Sequence, residues 1–530
     1  MGGIFPPYKG VIKMYIQPNT NIKLLKNVPL DTSYTHTILF NSPTDQYNYF
    51  NSLKKYELTN YSYQRVKNGI SRVGINAENL YDCNYMMFQN NSFGNKWFYA
   101  FIKNVEYINN EVSEITFELD VMQTWYFNHT IDECFVEREH TETDEIGEHI
   151  EPESVDCGEY VFRDYKNLTE LLKPMAICVM INDSSSSSEG TLYDGVYGGC
   201  TIFAYNDSDW KSVTAKVNEY NQKPDAIVGM YMCPVIAVSQ TGISDGGIQV
   251  EYSSIAESFD LTADAISSDN TLNGYLPKNK KLYTYPYCYY LVSNASGTTH
   301  AYRYEFFRGK QPHFKVDVSM TMPVQACLRP WGYKSSLDHR CVTEALTITG
   351  FPMCSWNTDA YRAWLAQNAI PAVGEYVSKA GIGAVALTGL GVASGGALAV
   401  GGALASATAI LSQGYQASIS ADIGKGSLNN GSINVASHTN SFWGGGVCVT
   451  HQYAKMIDDY FTRFGYAVKR VKKPNISSRP HWNYVKTVAC TLKGSVPADD
   501  MKKLCSIYDN GITFWKNGSE IGNYSLDNSV

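Results

Sequence analysis

The sequence lacks the short motifs that mark most enzymes. It contains no H-E-x-x-H, the signature of zinc proteases. The string GLGVASG at 389–395 departs from the dinucleotide-binding pattern G-x-G-x-x-G, and GKGS at 424–427 lacks the Lys-Ser adjacency of a phosphate-binding loop. We therefore expect a protein that is not an enzyme, with no catalytic residue and no cofactor.

Basic blocks and paired cysteines are also missing. The net charge is -8, and no Lys/Arg run is long enough to neutralise a line of phosphates, so tight nucleic-acid binding is not expected. The 13 cysteines include no C-x-x-C pair, which excludes a zinc ribbon and indicates scattered thiols made in a reducing compartment. The first residues, MGGIFPPYKG, lack the pattern of a signal peptide, so export by the secretory route is not expected.

The composition favours strands. Aromatic residues make up 13% of the chain, 39 of them tyrosines, and 530 residues are enough for two to four packed modules. Alternation predicts a half-buried strand in ITFELDV at 115–121 and another in FKVDVSM at 314–320. No internal repeat of fixed period is present. We expect a mainly β (α+β) fold of β-barrel or β-sandwich modules with a few helices.

Helical patterns lie on both sides of one long apolar run. Before it, residues 357–370 are capped near Asn357 and end at Pro371. After it, 453–464 predicts an amphipathic helix that ends at Gly465. The apolar positions of this second helix share one predicted face: Tyr453, Met456, Ile457, Tyr460, Phe461 and Phe464.

The last segment returns to strands. Val488, Cys490 and Leu492 alternate with polar residues, which predicts a strand with these three side chains on one face. A short helix is predicted in PADDMKKLCSIYDNG at 497–511, and Asn517 with Gly518 gives a hairpin signal. The basic string KRVKKPN at 469–475 could meet phosphate, although we favour an exposed strand edge that its charges protect.

The stretch EREHTETDEIGEHIEPE at 137–153 is the best metal candidate. His140 and His149 stand among several carboxylates. Their spacing matches neither a zinc site nor a calcium loop, so a solvated acidic loop or hairpin is the favoured interpretation. We accordingly predict no metal site.

One apolar run stands apart from this polar chain. Residues 380–411 read AGIGAVALTGLGVASGGALAVGGALASATAIL, and there is no Asp, Glu, Lys, Arg or His between Lys379 and Asp422. As helix, the run would extend roughly 48 Å, against roughly 30 Å of bilayer hydrocarbon. It is long enough to span a membrane once, or to enter and return.

Three interpretations of the run stay open. A buried core hairpin is one, but cores use large side chains to fill volume, and this run is mostly Gly, Ala and Ser. A constitutive membrane anchor is the second, although each glycine weakens a helix in water by about 1 kcal/mol relative to Ala. A segment that inserts into a membrane only when released is the third, and we favour it because its small-x-x-x-small spacings suit close helix contact in lipid.

Several strings, taken in order, resemble one protein family. They are YMMFQNNSFGNKWFYAF at 85–101, FELDVMQTW at 117–125, VEREH at 136–140, YPYC at 285–288, RVKKPN at 470–475, DNGITFW at 509–515 and IGNYS at 521–525. The set is similar to the tail knob, or distal tail tube, proteins of the Picovirinae-type short-tailed bacteriophages that infect Gram-positive bacteria. The likeness covers most of the chain and is thin at 150–280 and 300–350.

The resemblance implies a structural protein of the virion tail tip. In this family six copies form a tube of β-rich modules through which the genome leaves, and an inserted hydrophobic loop plugs the lumen and then forms a membrane channel. The implied partners are a homo-hexamer, the upper tail tube or collar proteins, the host cell membrane and double-stranded DNA that passes non-specifically. The implied locations are the host cytoplasm during assembly, the virion tail tip, and the host cell membrane during entry.

The resemblance also implies a division of the chain. Residues 1–170 would form an N-terminal β-rich tube module, 171–350 a β-rich middle or knob region, 351–370 a helix, 371–440 the inserted loop, and 441–530 a C-terminal helix and β module. The predicted membrane-active residues are Gly381, Ile382, Gly383, Val385, Leu387, Leu390, Gly391, Val392, Gly395, Leu398, Val400, Gly401, Leu404, Ile410 and Leu411. The alternative from another class is a pore-forming or fusion-type protein that acts without a tail.

Overall fold

Strands dominate the fold, as the composition predicts. The computed structural model describes residues 19–61, 69–91, 94–181, 192–193, 196–197, 201–220, 227–238, 243–250, 256–319, 324–334, 344–355 and 441–530. These residues form two units. One comprises Met1–Asp156, Lys278–Lys281 and Lys455–Val530, and the other comprises Cys157–Pro277 and Leu282–Ala454. We call them the first and the second unit.

The first unit contains three sheets. Its strands are β1 (Thr20–Lys26), β2 (His36–Ile38), β3 (Lys54–Tyr61), β4 (Gly69–Val73), β5 (Cys83–Gln89), β6 (Trp97–Tyr107), β7 (Ser113–Leu119), β8 (His129–Ile131), β9 (Cys134–Glu139), β25 (Tyr466–Lys472), β26 (Trp482–Val488), β27 (Leu492–Gly494) and β28 (Ile512–Trp515). A six-stranded sheet has the order β3-β1-β5-β6-β7-β4. A five-stranded sheet has the order β2-β28-β26-β9-β25, and β27 pairs with β8. The two larger sheets each draw on strands that are distant in the sequence.

Helices of the first unit begin and end at the expected signals. They are α1 (Pro43–Ser52), α2 (Val121–Thr124) and α5 (Ala498–Asn510), and α4 (His451–Phe464) belongs to this unit from Lys455 onward. The Ser42 hydroxyl caps α1 by accepting from the Asp45 amide at 3.1 Å. Gly465 (φ 64°) ends α4, and an added Cβ there would lie 2.1 Å from the Glu139 carbonyl oxygen. Only glycine fits this stop.

The six-stranded sheet of the first unit buries side chains on both faces. One face packs Met86 and Phe88 in a cluster with Leu504 and Tyr508 of α5. The other face packs around Phe50 of α1, in a second cluster of aromatic and aliphatic side chains. The Phe50 ring is stacked on Tyr85 at 5.3 Å and tilted against Tyr99 at 4.7 Å. Such pairs add to the area that the rings remove from water.

The second unit contains three larger sheets and a short hairpin. Its strands are β10 (Tyr160–Asn167), β11 (Met175–Ile181), β12 (Leu192–Tyr193), β13 (Val196–Tyr197), β14 (Thr201–Asn206), β15 (Ile227–Pro234), β16 (Ile248–Val250), β17 (Ala256–Thr262), β18 (Cys288–Ser293), β19 (Thr299–Tyr302), β20 (His313–Ser319), β21 (Ala326–Pro330), β22 (Leu346–Ile348), β23 (Met353–Ser355) and β24 (Trp443–Val449), with helix α3 (Trp210–Glu219). The orders are β10-β24-β18-β19, β16-β14-β11-β15-β23 and β17-β20-β21-β22, with β12 pairing β13.

Several sequence predictions are confirmed. In β7 Ile115 and Phe117 are buried, and in β20 Phe314, Val316 and Val318 are buried, each alternating with more exposed residues. The helices predicted at 453–464 and 497–511 are present as α4 and α5. The basic string at 469–475 lies at the edge strand β25, as its charge pattern indicates.

Three local predictions are wrong. In β26 burial alternates without a break from Asn483 to Val488, so Thr487 is buried and Val488 is 49% exposed. The Thr487 hydroxyl donates to Asp509 at 2.7 Å, and the strand ends at Val488 instead of continuing to Leu492. Asn517 and Gly518 form no hairpin, since the Asn517 side chain instead accepts from the Ser519 amide and caps one 3₁₀ turn. Met456 is 59% exposed although the helical pattern places it on the apolar face of α4.

Asp458 explains the rotated face of α4. Its side chain is buried and accepts from the backbone amides of Lys278 and Asn279 at 2.8 and 3.0 Å. The Asn279 side-chain amide donates to the same carboxylate at 2.7 Å. Because this inward position is taken by a carboxylate, no apolar periodicity marks it. The contact fastens the crossing segment Lys278–Lys281 into the first unit.

Candidate functional site

The described strands on either side of residues 356–440 belong to two different sheets of the second unit. Before this segment, β23 pairs with β15 at the edge of the five-stranded sheet, and the described chain stops at Ser355. After this segment, the described chain resumes at Ser441 and runs directly into β24, an inner strand of the sheet β10-β24-β18-β19. All fifteen predicted membrane-active residues and the helix predicted from Asn357 lie outside the described residues.

The return of the chain at Ser441 is fixed by hydrogen bonds. Ser441 and Phe442 are buried, and the Ser441 hydroxyl accepts from the Asn167 side-chain amide at 2.9 Å. The Phe442 amide donates to the Thr169 hydroxyl at 2.8 Å, and its carbonyl accepts from the Leu168 amide at 2.7 Å. Because these buried polar groups are paired, the chain is held in place where the described residues resume at Ser441.

Glycines allow β24 to lie close to β10. An added Cβ at Gly445 would lie 1.8 Å from the carbonyl oxygen of Asp164, and one at Gly444 would lie 2.7 Å from Leu168. The register between these strands shifts between Phe162 and Asp164, which brings the β10 backbone over Gly445. The glycine-rich string WGGGV therefore serves strand pairing at the anchor.

Among the residues that the structure describes, no helix is both long enough and apolar enough to cross a bilayer.

The second candidate, the stretch at 137–153, is built around a neutral histidine. His140 is buried, and its Nδ1 accepts from the Tyr484 amide at 2.7 Å while Nε2 lies 3.1 Å from the Thr462 carbonyl oxygen. This arrangement requires a proton on Nε2 and none on Nδ1. Burial, together with the nearby Arg479, lowers the pKa of His140 to about 3. The ring is held as a neutral structural group.

The carboxylates of this stretch meet cations and amides. Glu153 pairs with both Arg138 and Lys281, and all three side chains are at most 9% exposed. Glu139 is fully buried and pairs with Lys472. Burial lowers the pKa of Lys281, whereas Glu153 opposes that change. These contacts make an internal ion network of the first unit.

The remaining polar groups of the stretch are also engaged. Asp144 accepts from the Tyr466 hydroxyl at 2.7 Å, and burial raises the pKa of this carboxyl. His149 Nε2 lies 2.6 Å from the Thr143 carbonyl oxygen and 3.2 Å from the Thr141 hydroxyl. No set of three His, Cys, Asp or Glu side chains that could hold a metal occurs within the described ranges. The favoured interpretation of a solvated acidic loop fits residues 142–152, most of which are exposed and outside helices and strands. It is wrong for Glu139, His140 and the Glu153 side chain, which are buried among partners.

Comparison with known proteins decides the family. The model of the C-terminal domain of the Bacillus phage phi29 tail knob protein gp9 matches residues 247–529. This chain belongs to the phage tail knob family. The N-terminal model of caudoviral major tail proteins matches residues 18–130, so both ends of the chain carry tail-protein sequence.

Relatives of this family match nearly the full length. The tail knob proteins gp9 of Bacillus phages PZA and phi29 are 27% and 26% identical to the chain, over 96% of it and 98% of each relative. The solved tail knob protein gp12 of bacteriophage C1 has a TM-score of 0.56 at 16% identity, covering 96% of this chain and 99% of that one, which shows a shared fold. The resemblance seen in the sequence is confirmed, and the chain is a structural component of a phage tail.

Proposed function

We propose that six copies of this tail knob protein close into a ring and form the distal tube through which double-stranded DNA leaves the virion. A heterologous interface whose rotation closes produces a tube without free ends. The implied neighbours are the upper tail tube or collar proteins. The full-length similarity to tail knob proteins supports this part of the proposal.

The apolar run would act as plug and then as channel. Residues 380–411 carry no charge and lie between two anchored strands, β23 and β24, so an excursion can leave the second unit without unfolding it. We infer that the fifteen residues named from Gly381 to Leu411 pack together in the lumen before ejection. On release they would enter the host membrane, where small residues permit close helix contact. The uncharged run is the observation that carries this function.

Charge placed in the run tests the membrane step. Leu390→Lys combined with Leu398→Asp should abolish dye release from liposomes and leave assembly intact, because a charge in the bilayer core is costly. Leu171→Lys, at a leucine that is 55% exposed in the second unit, is the matched control and should change neither property. Double variants that still permeabilise liposomes would remove the run from the mechanism.

Assembly in solution tests the tube. A ring that forms before any membrane contact supports the tail tube, and a monomer that assembles only on liposomes supports the alternative of a free-standing pore-forming protein. Light scattering on the purified protein distinguishes them. The passage of DNA needs no sequence contacts, so submicromolar binding of duplex DNA at physiological salt would contradict it.

A further inference from the structure

One sheet of the second unit has a covered face and an open face. In β18 and β24 the covered face includes the paired residues Cys288 and Cys448, and also Tyr290 and Val292, all at most 2% exposed. Side chains alternate between the faces of a sheet. The register therefore assigns a second set to the other face: Tyr160, Phe162 and Tyr165 of β10, Trp443, Val447 and Val449 of β24, and Tyr289 and Leu291 of β18. Val447 and Val449 are buried, and we call the other six residues, which are at least partly exposed, the aromatic face.

Several side chains of the aromatic face are exposed to solvent. Tyr160, Phe162 and Tyr165 are 42, 49 and 47% exposed, and none of the other three residues is fully buried. The rings contact one another: Phe162 lies 5.0 Å from Tyr165, and Tyr165 is stacked on Trp443 at 5.9 Å. A contiguous apolar patch of this kind marks a binding surface more often than a plain exterior.

The shape of the aromatic face suits an extended apolar occupant. Gly445 lies in register between Tyr165 and Leu291, and the β10 backbone at Asp164 packs against it, so the exposed apolar area of the face comes from the rings on either side. Strand β10 is the edge of its sheet, and no described strand pairs with its outer side. The exposed charges of Arg163, Asp164 and Lys166 guard this edge against strand pairing, so an occupant would contact the face rather than extend the sheet.

We propose that the aromatic face is the docking surface for the apolar run 380–411 before release, an inference that rests on the proposed function. The chain itself supplies this occupant at close range. The 85 residues 356–440 stand between β23 and Ser441, and Ser441 returns beside Asn167, at the end of the open face. The 29 residues between Leu411 and Ser441 can extend up to about 100 Å, so reach sets no limit.

The chemistry of the two surfaces is complementary. The run carries no charge, so docking leaves no buried ion without a partner. Its Gly and Ala residues let the backbone approach flat rings closely, and its spaced Leu, Val and Ile fill the gaps between them. Burial of both surfaces is favourable in proportion to the apolar area removed from water. The same contacts can be exchanged for lipid, since neither surface uses ion pairs that would have to be broken.

Photo-crosslinking of the full-length protein tests the docking. A benzoylphenylalanine at position 162 should form its main adduct on peptides from residues 380–411, as mapped by mass spectrometry. The same photo-reactive residue at position 81, where Tyr81 is 66% exposed in the first unit, is the control and should form no such adduct. An adduct at position 162 that maps elsewhere, to a second copy's folded units for example, or the absence of any adduct, would overturn the docking.

Limited proteolysis tests the docking without the photo-reactive residue. Phe162→Ser with Tyr165→Ser should raise the rate of thermolysin cleavage within 380–411 at neutral pH several-fold, whereas Tyr81→Ser should leave that rate unchanged. Equal rates in the double variant and the unmodified protein would contradict the docking. If replacing 380–411 abolishes dye release and the adduct is nevertheless absent, only the docking fails. If the adduct forms but dye release does not depend on the run, the proposed function fails instead.

Discussion

Strands β9 and β10 both depart from the burial that residue type predicts, since β9 buries charged side chains and β10 exposes aromatic ones. Strand β9 is an inner strand with two charged residues, Arg138 and Glu139, that are almost completely buried. Strand β10 is an edge strand whose aromatic residues are about half exposed. Charges are tolerated inside when each has a partner, and exposed aromatic rings indicate a surface that another segment covers. The buried charges of the first unit are paired within it, whereas the second unit leaves aromatic rings of one sheet face exposed.

The largest effect is expected when the ion network of the first unit is broken. Glu153→Gln leaves the buried Arg138 and Lys281 without their carboxylate, which should lower the free energy of unfolding by about 3–5 kcal/mol. Denaturant unfolding followed by tryptophan fluorescence measures the loss. The control Glu159→Gln changes an exposed carboxylate and should cost less than about 0.5 kcal/mol. Equal losses in the two variants would show that the network is not essential.

The covered face of the open sheet should behave as a core. Tyr290→Ala removes a ring that is 2% exposed and should lower the free energy of unfolding by about 3–5 kcal/mol. The physical cause is the cavity left on that face. Thermal unfolding of the full-length protein checks this, and a loss near zero would mean that both faces of the sheet are open.

A pH dependence should come from the first unit. The pKa of His140 is lowered on folding to about 3, so below about 6.5 the unfolded chain binds a proton that the folded protein does not. Stability from this group is complete above pH 6.5 and falls by about 1.4 kcal/mol per pH unit as pH decreases toward 3. His140→Gln should remove this share of the slope.

Other titrating groups also make stability depend on pH. The contribution of His140 is therefore the difference in slope between the unmodified protein and His140→Gln. Burial also lowers the pKa values of His36 and His129, and it raises the pKa of Asp120 to about 6. The raised Asp120 favours the folded state below its unfolded pKa and loses that contribution as pH rises through 6, which opposes the histidines. Unfolding midpoints of the two proteins between pH 4.5 and 7 isolate the share of His140, and identical slopes would refute its neutral role.

The smallest effect is expected on the aromatic face. In a variant whose residues 380–411 are replaced by a short Gly/Ser linker, Phe162→Ala changes a ring that is 49% exposed, so the free energy of unfolding should shift by no more than about 0.5 kcal/mol. Tyr290→Ala, on the other side of the same sheet, should cost far more free energy of unfolding. That difference would distinguish an exposed docking surface from a packed core. A loss comparable to that of Tyr290→Ala would erase the distinction.

Sequence patterns predict elements best where one physical rule decides the residue types. Alternation locates β7 and β20, and helical spacing with a terminal glycine locates α4 and α5. The pattern misleads where a tertiary contact replaces it. Thr487 takes a buried position in β26 because its hydroxyl donates to Asp509, and the carboxylate of Asp458 takes an inward helix position because backbone amides of a distant segment donate to it.

The candidate sites divide in the same way. The uncharged run is visible in the sequence because it depends on composition alone. The buried network at Glu153 is not visible, because Lys281 is 128 residues away and its role depends on the crossing segment. The aromatic face is also hidden, since β10, β18 and β24 are brought together only by the fold.

Dye release from liposomes tests the central claim, that the uncharged run acts on membranes, most directly. The intact protein is compared with a variant in which residues 380–411 are replaced by a short Gly/Ser linker, after circular dichroism has shown that both are folded. The account predicts release by the intact protein and none by the variant. Equal release by the two proteins would contradict it.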